Sequence, residues 1–497
     1  MIFIKSLRLR RSRICLQGSV AQKFTVIAAI LVISLTQALV AQQDVPSTAP
    51  MTPSQKAEMA KRVRQEFLHA WNGYRKYAWG HDALKPLSHR PIDWYSHSLL
   101  MTPVDGLDTM ILMGLKPQAE EARKLIDTQL NFDQDMYVKS FEIDIRMLGG
   151  LLSAYQLTGD KHLLELADDL GRRMMPIFDS PTGMPYEYVN LHTGAVRGPN
   201  SNPAEIGSLL IEYGMLSRLT GKPIYYDRAK RAVTALYQRQ SSIGLVGLGI
   251  NVETGQWTDS TAGINGGIDS YYEYLLKAAI LFGDRDCARM WEQSLAAINR
   301  YLADQRPDGL WYGQADMNTG ARATTIYGAL DAFFPAVLAL SGDTDRARAL
   351  QDSSYRMWNF AGVEPDGFDY AKLRITDAHY PLRPEIIESA YYLYHGTHDP
   401  KYLAMGKTFM DSLEKYCRTP YGFASLEDVQ TKKQADDMES FFFAETMKYL
   451  YLLFAPPDAL EFDSIVFNTE AHPMRRSVGL RGQTAVGEKP TPNSSAK

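Results

Sequence analysis

Short turns, most of them built on glycine, recur along this chain at a spacing that suits one kind of architecture. They are Met113-Gly114-Leu115, Thr158-Gly159-Asp160, Thr220-Gly221-Lys222, Phe282-Gly283-Asp284, Ser341-Gly342-Asp343 and Thr397-His398-Asp399. Successive turns lie roughly 45–62 residues apart, the length of one helix pair per repeat. Between them the period is helical: Ile143, Met147, Leu148, Leu151, Leu152 and Tyr155 form one stripe, and Tyr271, Tyr274, Leu275 and Ala278 another. Met447, Leu450, Leu452 and Leu453 continue the pattern. About seven such pairs suit a closed all-α toroid, an (α/α)7 barrel with an inner and an outer ring of helices. Two stretches break the period, 183–190 and 245–251, and are expected as short β-hairpins or loops over one mouth.

A carboxylate opens most of the helices that run into these turns: Glu142, Glu205, Asp269 and Glu385. Each precedes its turn by roughly 13–17 residues, about 20–25 Å of helix at 1.5 Å per residue. Closing the helices into a ring brings these acids to one mouth. Taken singly, an acid at a helix start is worth roughly 0.3–1 kcal/mol as a cap, and capping is the plain account of each. Taken together, they sit beside strongly apolar stretches with only Arg146 and Arg383 close by to neutralise them. Carboxylates buried in a group raise one another's pKa values or demand a cation. No His/Cys cluster has transition-metal spacing, so a hard ion with oxygen ligands is expected, and Ca2+ suits an irregular, water-rich shell better than Mg2+. Two separated carboxylates with a water between them are also what inverting glycoside hydrolysis requires. Trp94, Phe333, Phe334, Phe368 and Phe441 are candidates for stacking on sugar faces, with core packing the plainer role of each.

Composition sets the boundaries. With 45% apolar and 22% charged residues and a net charge of -4, the chain has material for a large core and no electrostatic footprint for nucleic acid. Basic residues concentrate only at the extreme N-terminus, where Lys5, Arg8, Arg10, Arg11, Arg13 and Lys23 precede an apolar run over 24–40. Residues 1–41 therefore read as an export signal, with an uncleaved membrane anchor as the alternative, and the body is expected outside the cytoplasm, periplasmic or secreted. Residues 42–56 read as a linker, 57–473 as the helical domain and 474–497 as a disordered tail. Cys287 and Cys417 are expected as unpaired, partly buried thiols, although an oxidising compartment would let them pair.

Several ordered motifs carry a resemblance. They are His69-Ala70-Trp71-Asn72-Gly73-Tyr74, Val104-Asp105-Gly106-Leu107-Asp108-Thr109, and Phe141-Glu142 through Arg146 into Gly149-Gly150-Leu151-Leu152. Further on come Asp269-Ser270-Tyr271-Tyr272-Glu273-Tyr274, Leu382-Arg383-Pro384-Glu385, Glu439-Ser440-Phe441-Phe442 and Asn468-Thr469-Glu470-Ala471-His472. The chain resembles glycoside hydrolase family 47, the class I α-1,2-mannosidases, over nearly its whole length after the signal. The resemblance implies an (α/α)7 barrel with a C-terminal segment entering it as a plug. It implies Glu142 as the general acid acting through a water, Glu385 as the general base and Asp269 as a third catalytic carboxylate. Thr469 matches the residue that binds Ca2+ through its hydroxyl and carbonyl oxygens. Arg146, Glu205, Arg383, Glu388, Phe441, Glu445 and Glu470 match positions that contact sugar or hold the waters of the calcium ion.

The implied activity is a calcium-dependent, inverting exo-α-1,2-mannosidase acting on mannose-containing oligosaccharides or glycoprotein glycans, in a chain expected to be a monomer. The alternative is a mannose-binding, lectin-like relative without turnover, against which the retention of all three carboxylates argues. Gly267 stands where the endoplasmic-reticulum trimming enzymes have arginine, as in the Golgi-type or degradation-enhancing branches. The segment 330–335 resembles the degradation-enhancing branch, and Ala329 and Ala332 replace a His and a Cys of the processing enzymes, so their disulfide is absent.

Overall fold

The glycine turns set the architecture. In the computed structural model, which describes residues 49–476, Gly159, Gly221, Gly283 and Gly342 each end a helix with φ between +69° and +91°. Glycine adopts this left-handed conformation without a Cβ penalty. At two of these turns the aspartate that follows caps the next helix: Asp160 accepts the amide of His162, and Asp284 accepts those of Asp286 and Cys287. A Gly-Asp step is thus a stop and a start, and it folds two helices back on each other.

One helix of each pair is buried all round, as in Leu210–Thr220, where residues 210–216 are all buried. Its partner is amphipathic, as in Lys161–Met174, which buries Leu163, Ala167, Leu170, Gly171 and Met174 along a single stripe. The buried segments form the inner ring, 101–112, 140–158, 203–220, 269–282, 330–341, 385–397 and 442–454. The last packs back on the first, so the ring closes. Segments 116–129, 161–178, 224–237, 285–301, 344–361 and 401–416 lie outside, and Pro53–Tyr77 completes the outer ring against Met447–Phe454. The fold is the expected (α/α)7 barrel. Two inner helices contain a π-turn, Asp144–Leu148 and Phe442–Thr446, a feature that recurs at functional sites.

Short antiparallel strands join outer helix ends to the next inner helix starts, at the mouth where Glu142, Asp269 and Glu385 stand. Tyr137–Lys139 pairs with Tyr188–Asn190, with Lys139 opposite Tyr188, and Gly249–Asn251 pairs with both Asn200–Ser201 and Trp257–Asp259. The hairpins expected at 183–190 and 245–251 are therefore present in their last three residues. At the opposite end Ile465–Phe467 pairs with Pro473–Arg475, meeting Leu112, Gln156 and Leu157 where inner helices finish. The tip of this hairpin, 468–472, is the plug. Two glycines make room for it: a Cβ on Gly149 would stand 2.6 Å from Asn468 Nδ2, and one on Gly150 would stand 3.3 Å from His472 Cε1.

Three boundaries differ from the sequence expectation. The first helix begins at Pro53, inside the stretch read as linker, because Thr52 and Gln55 form a reciprocal capping box with Pro53 at the first helical position. Met474 and Arg475 belong to a strand rather than to the tail, and Met474 is fully buried. Cys287 and Cys417 are free, as expected, but fully rather than partly buried. The signal or anchor at 1–41 and the tail from 477 on lie outside the described residues.

Candidate active site

A cavity of about 400 Å³ opens at the mouth where the inner helices begin. Its wall includes Glu142, Asp269 and Glu385, each from a different inner helix. Arg146, Glu205, Arg383 and Glu388 line it as well, with Phe441 and Glu445 from the π-turn region. Thr469 and Glu470 reach it from the plug. The ring thus brings together the carboxylates, arginines, Phe441 and Thr469 named from the sequence, but not the stacking candidates Trp94, Phe334 and Phe368.

Arg146 is the hub of one side. Its Nε and Nη2 donate to Glu142 at 3.0 and 2.9 Å, its Nη1 reaches Glu470, and Asp105 lies 3.6 Å away. Trp94 and Phe441 cover the guanidinium at 5.2 and 5.5 Å. Trp94 therefore serves Arg146 rather than lining the cavity. Phe334 packs on Tyr312 and Phe368 on Trp311, so of the stacking candidates Phe333 and Phe441 line the space, together with Phe141.

The other side is acidic. Burial pushes Asp269 up to about 7, opposed by the Ser270 amide at 2.7 Å. Burial also pushes Glu385 up to about 7, opposed by the Arg383 guanidinium, and its Oε2 has no partner among the described residues. Arg383 is held in turn by Asp366 at 3.2 Å. Glu388 is raised to about 8 by burial despite Lys277 at 3.9 Å, and burial also holds Glu445 and Glu470 well above the usual carboxylate range. Among the described residues no hydrogen bond engages the hydroxyl or carbonyl oxygen of Thr469, which share the cavity with these acids.

The neutralising cations extend beyond Arg146 and Arg383. Lys139 holds Glu205 at 2.8 Å, and Lys277 pairs with Glu273. Beneath the site Lys448 meets Asp108 at 2.8 Å and the Ala471 carbonyl at 2.7 Å. His472 sits between Asp108 (2.7 Å) and Asp105 (3.1 Å). Lys277 follows its partner Glu273 by one helical turn, a weak signal in an apolar helix, whereas Lys139 and Lys448 pair with Glu205 and Asp108 on other elements and left no spacing to read.

The family model described as "Glycosyl hydrolase family 47" matches residues 66–476. The chain is 39% identical over 443 residues to alpha-mannosidase I MNS4 of Arabidopsis thaliana, covering 84% of this chain and 70% of that protein. It is 37% identical to ER degradation-enhancing alpha-mannosidase-like protein 2 of Mus musculus, covering 85% of this chain and 78% of that one. Among solved structures, the alpha-1,2-mannosidase from Trichoderma reesei matches with a TM-score of 0.79 at 29% identity, covering 85% of this chain and 99% of that chain.

Proposed function

Because the chain belongs to glycosyl hydrolase family 47, we propose that it is a calcium-dependent, inverting exo-α-1,2-mannosidase removing terminal mannose from glycans. α-Mannosidase action on glycans follows from the family and its members. The linkage, the exo action, the metal and the stereochemistry rest on the cavity. One observation carries the reading: Glu142, Asp269, Glu385 and Thr469, from four segments of the chain, line a single space large enough for a sugar.

In the proposed reaction Glu142, partly exposed at the rim, gives a proton through a water to the leaving glycosidic oxygen. Glu385 takes a proton from the attacking water, for which its unpartnered Oε2 offers a free lone pair. The water oxygen bonds to the anomeric carbon as the bond to the leaving oxygen breaks, so the configuration inverts. Asp269 is the third carboxylate of the set, and Arg146, Glu205, Arg383 and Phe441 hold the sugar.

The donor set fits calcium. Thr469 offers two oxygens that no donor among the described residues occupies, and Glu388, Glu445 and Glu470 surround the same space, suited to holding metal-bound waters. When bound, the ion would neutralise these acids and polarise sugar hydroxyls. An NMR time course on α-1,2-mannobiose, with and without EDTA, tests the whole reading. β-Mannose should appear first, before mutarotation, and EDTA should stop its release until calcium is restored. An initial α-anomer would overturn inversion, and binding without release of mannose would make the protein lectin-like.

A further inference from the structure

Two carboxyl groups are buried against each other with no cation beside them among the described residues. Asp144 lies in the π-turn Asp144–Leu148 and Glu212 in the next inner helix, Leu210–Thr220; both are fully buried where the two elements pack together, and Glu212 is the charged neighbour that acts on Asp144. Among the described residues, neither oxygen of Asp144 nor Oε2 of Glu212 has a donor. The titratable groups facing the pair are Tyr213, beside Glu212 in sequence, and Tyr274 from the third inner helix along. Two bare carboxylates facing each other away from water would repel strongly, and a proton held between them removes that repulsion.

The other oxygen of Glu212 is fully used. Its Oε1 accepts the Tyr274 hydroxyl at 2.7 Å and Asn468 Nδ2 at 2.7 Å. Both donors lead to the plug. The Tyr274 oxygen accepts the Thr469 amide at 3.2 Å. Asn468 Nδ2 also donates to the Ile145 carbonyl at 2.9 Å, and its Oδ1 accepts the amides of Glu470 and His472 at 3.0 and 2.7 Å.

We propose that Asp144 and Glu212 are positioning residues, a carboxyl–carboxylate pair with one shared proton that clamps Tyr274 and Asn468 and so sets Thr469 at the cavity. The metal-binding role of Thr469 rests on the function proposed above; the clamp on the plug does not.

The shared proton has a signature that a merely structural pair lacks. A carboxyl whose folded pKa lies above its unfolded value contributes stability that is full below the unfolded pKa, near 4, and lost as pH rises through the folded one. Asp144→Asn replaces the proton with a permanent donor to Glu212. In EDTA it should raise Tm by ~2 °C or more at pH 8 and leave it unchanged at pH 4. Glu212→Gln keeps an acceptor for Tyr274 and Asn468 and should hold the plug as the natural protein does. Glu212→Ala should speed hydrogen exchange at the amides of Thr469 and Glu470, and weaken calcium binding, each by ~tenfold or more. If Glu212→Ala does not fold, Tyr274→Phe removes one clamped donor and should move both quantities in the same direction. A Tm change in Asp144→Asn that is the same at pH 4 and pH 8 would overturn the shared proton. Unchanged exchange in Glu212→Ala or Tyr274→Phe would overturn the clamp. If the natural protein binds no calcium, the metal reading fails while the exchange rates still decide the clamp.

Discussion

Asp269 and Glu385 face the same cavity, and burial pushes both up to about 7, so both change protonation near neutrality. A base has to be ionised to accept a proton, so kcat/KM should fall as pH drops below about 7. Arg383 opposes the rise in Glu385. Arg383→Met should therefore shift the acidic limb of the pH profile upward by ~1 unit, and an unmoved limb would assign that limb to another group. Glu385→Gln keeps the shape without the basicity, so turnover should drop ~10²–10⁴-fold while affinity for a mannose analogue survives. Near-normal turnover would remove Glu385 from the mechanism. These acids were legible because each opens a helix beside a motif. The lysines that balance them were not, because a lysine within an apolar helix reads as an exposed position until the ring closes around it. Lys277 and Lys448 are both buried.

Among the elements, the turns were the most legible and the π-turns the least. Thr-Gly-Asp encodes a left-handed stop followed by a side-chain cap, both local effects. One extra residue in a π-turn barely disturbs hydrophobic periodicity, so Asp144–Leu148 looked like ordinary helix. The capping box at Thr52 was legible in principle, but its prolines suggested a linker, although proline at the first helical position favours a start. Gly149 is where an inner helix comes close to the plug. Gly149→Ala would place a Cβ 2.6 Å from Asn468 Nδ2, so either the helix or the plug has to move. The substitution should cost ~1–3 kcal/mol of stability, read by denaturant unfolding, and lower activity with it. A fully active Gly149→Ala protein would show that the plug tolerates displacement.

For the whole molecule, the repeat spacing implied ring closure, whereas the plug's place in the barrel came from family resemblance. Three-residue strands carry little periodicity of their own, so Pro473–Arg475 was invisible until paired. The plug is locked by charge as well as by pairing. Burial alone would raise Asp108, but Lys448 and His472 more than offset it and bring it down to about 2. His472 is raised: burial lowers it, but Asp108 and Asp105 more than offset this. The Asp108 contribution is thus present above its unfolded pKa and lost as pH falls towards 2, whereas that of His472 is full below ~6.5 and lost as pH rises through its folded value. Replacing His472 by Gln should therefore lower Tm more at pH 5 than at pH 9, and an equal loss at both would mean the ring is neutral. Truncation before Phe467 removes the plug, and with it Thr469 and Glu470, so activity and calcium-dependent thermal stabilisation should vanish together. Truncation after Pro473, harmless if Met474 began a disordered tail, instead removes a buried side chain and the strand partners of Ile465 and Val466. Burial of one such side chain is worth ~1.5–3 kcal/mol, enough to loosen a hairpin whose tip carries the proposed metal ligand. This shorter truncation should therefore weaken calcium-dependent stabilisation measurably, and a truncated protein with the full calcium-induced rise in Tm would show that the contacts of the tip itself, with Asp105, Asp108, Lys448 and Glu212, hold it without the strand.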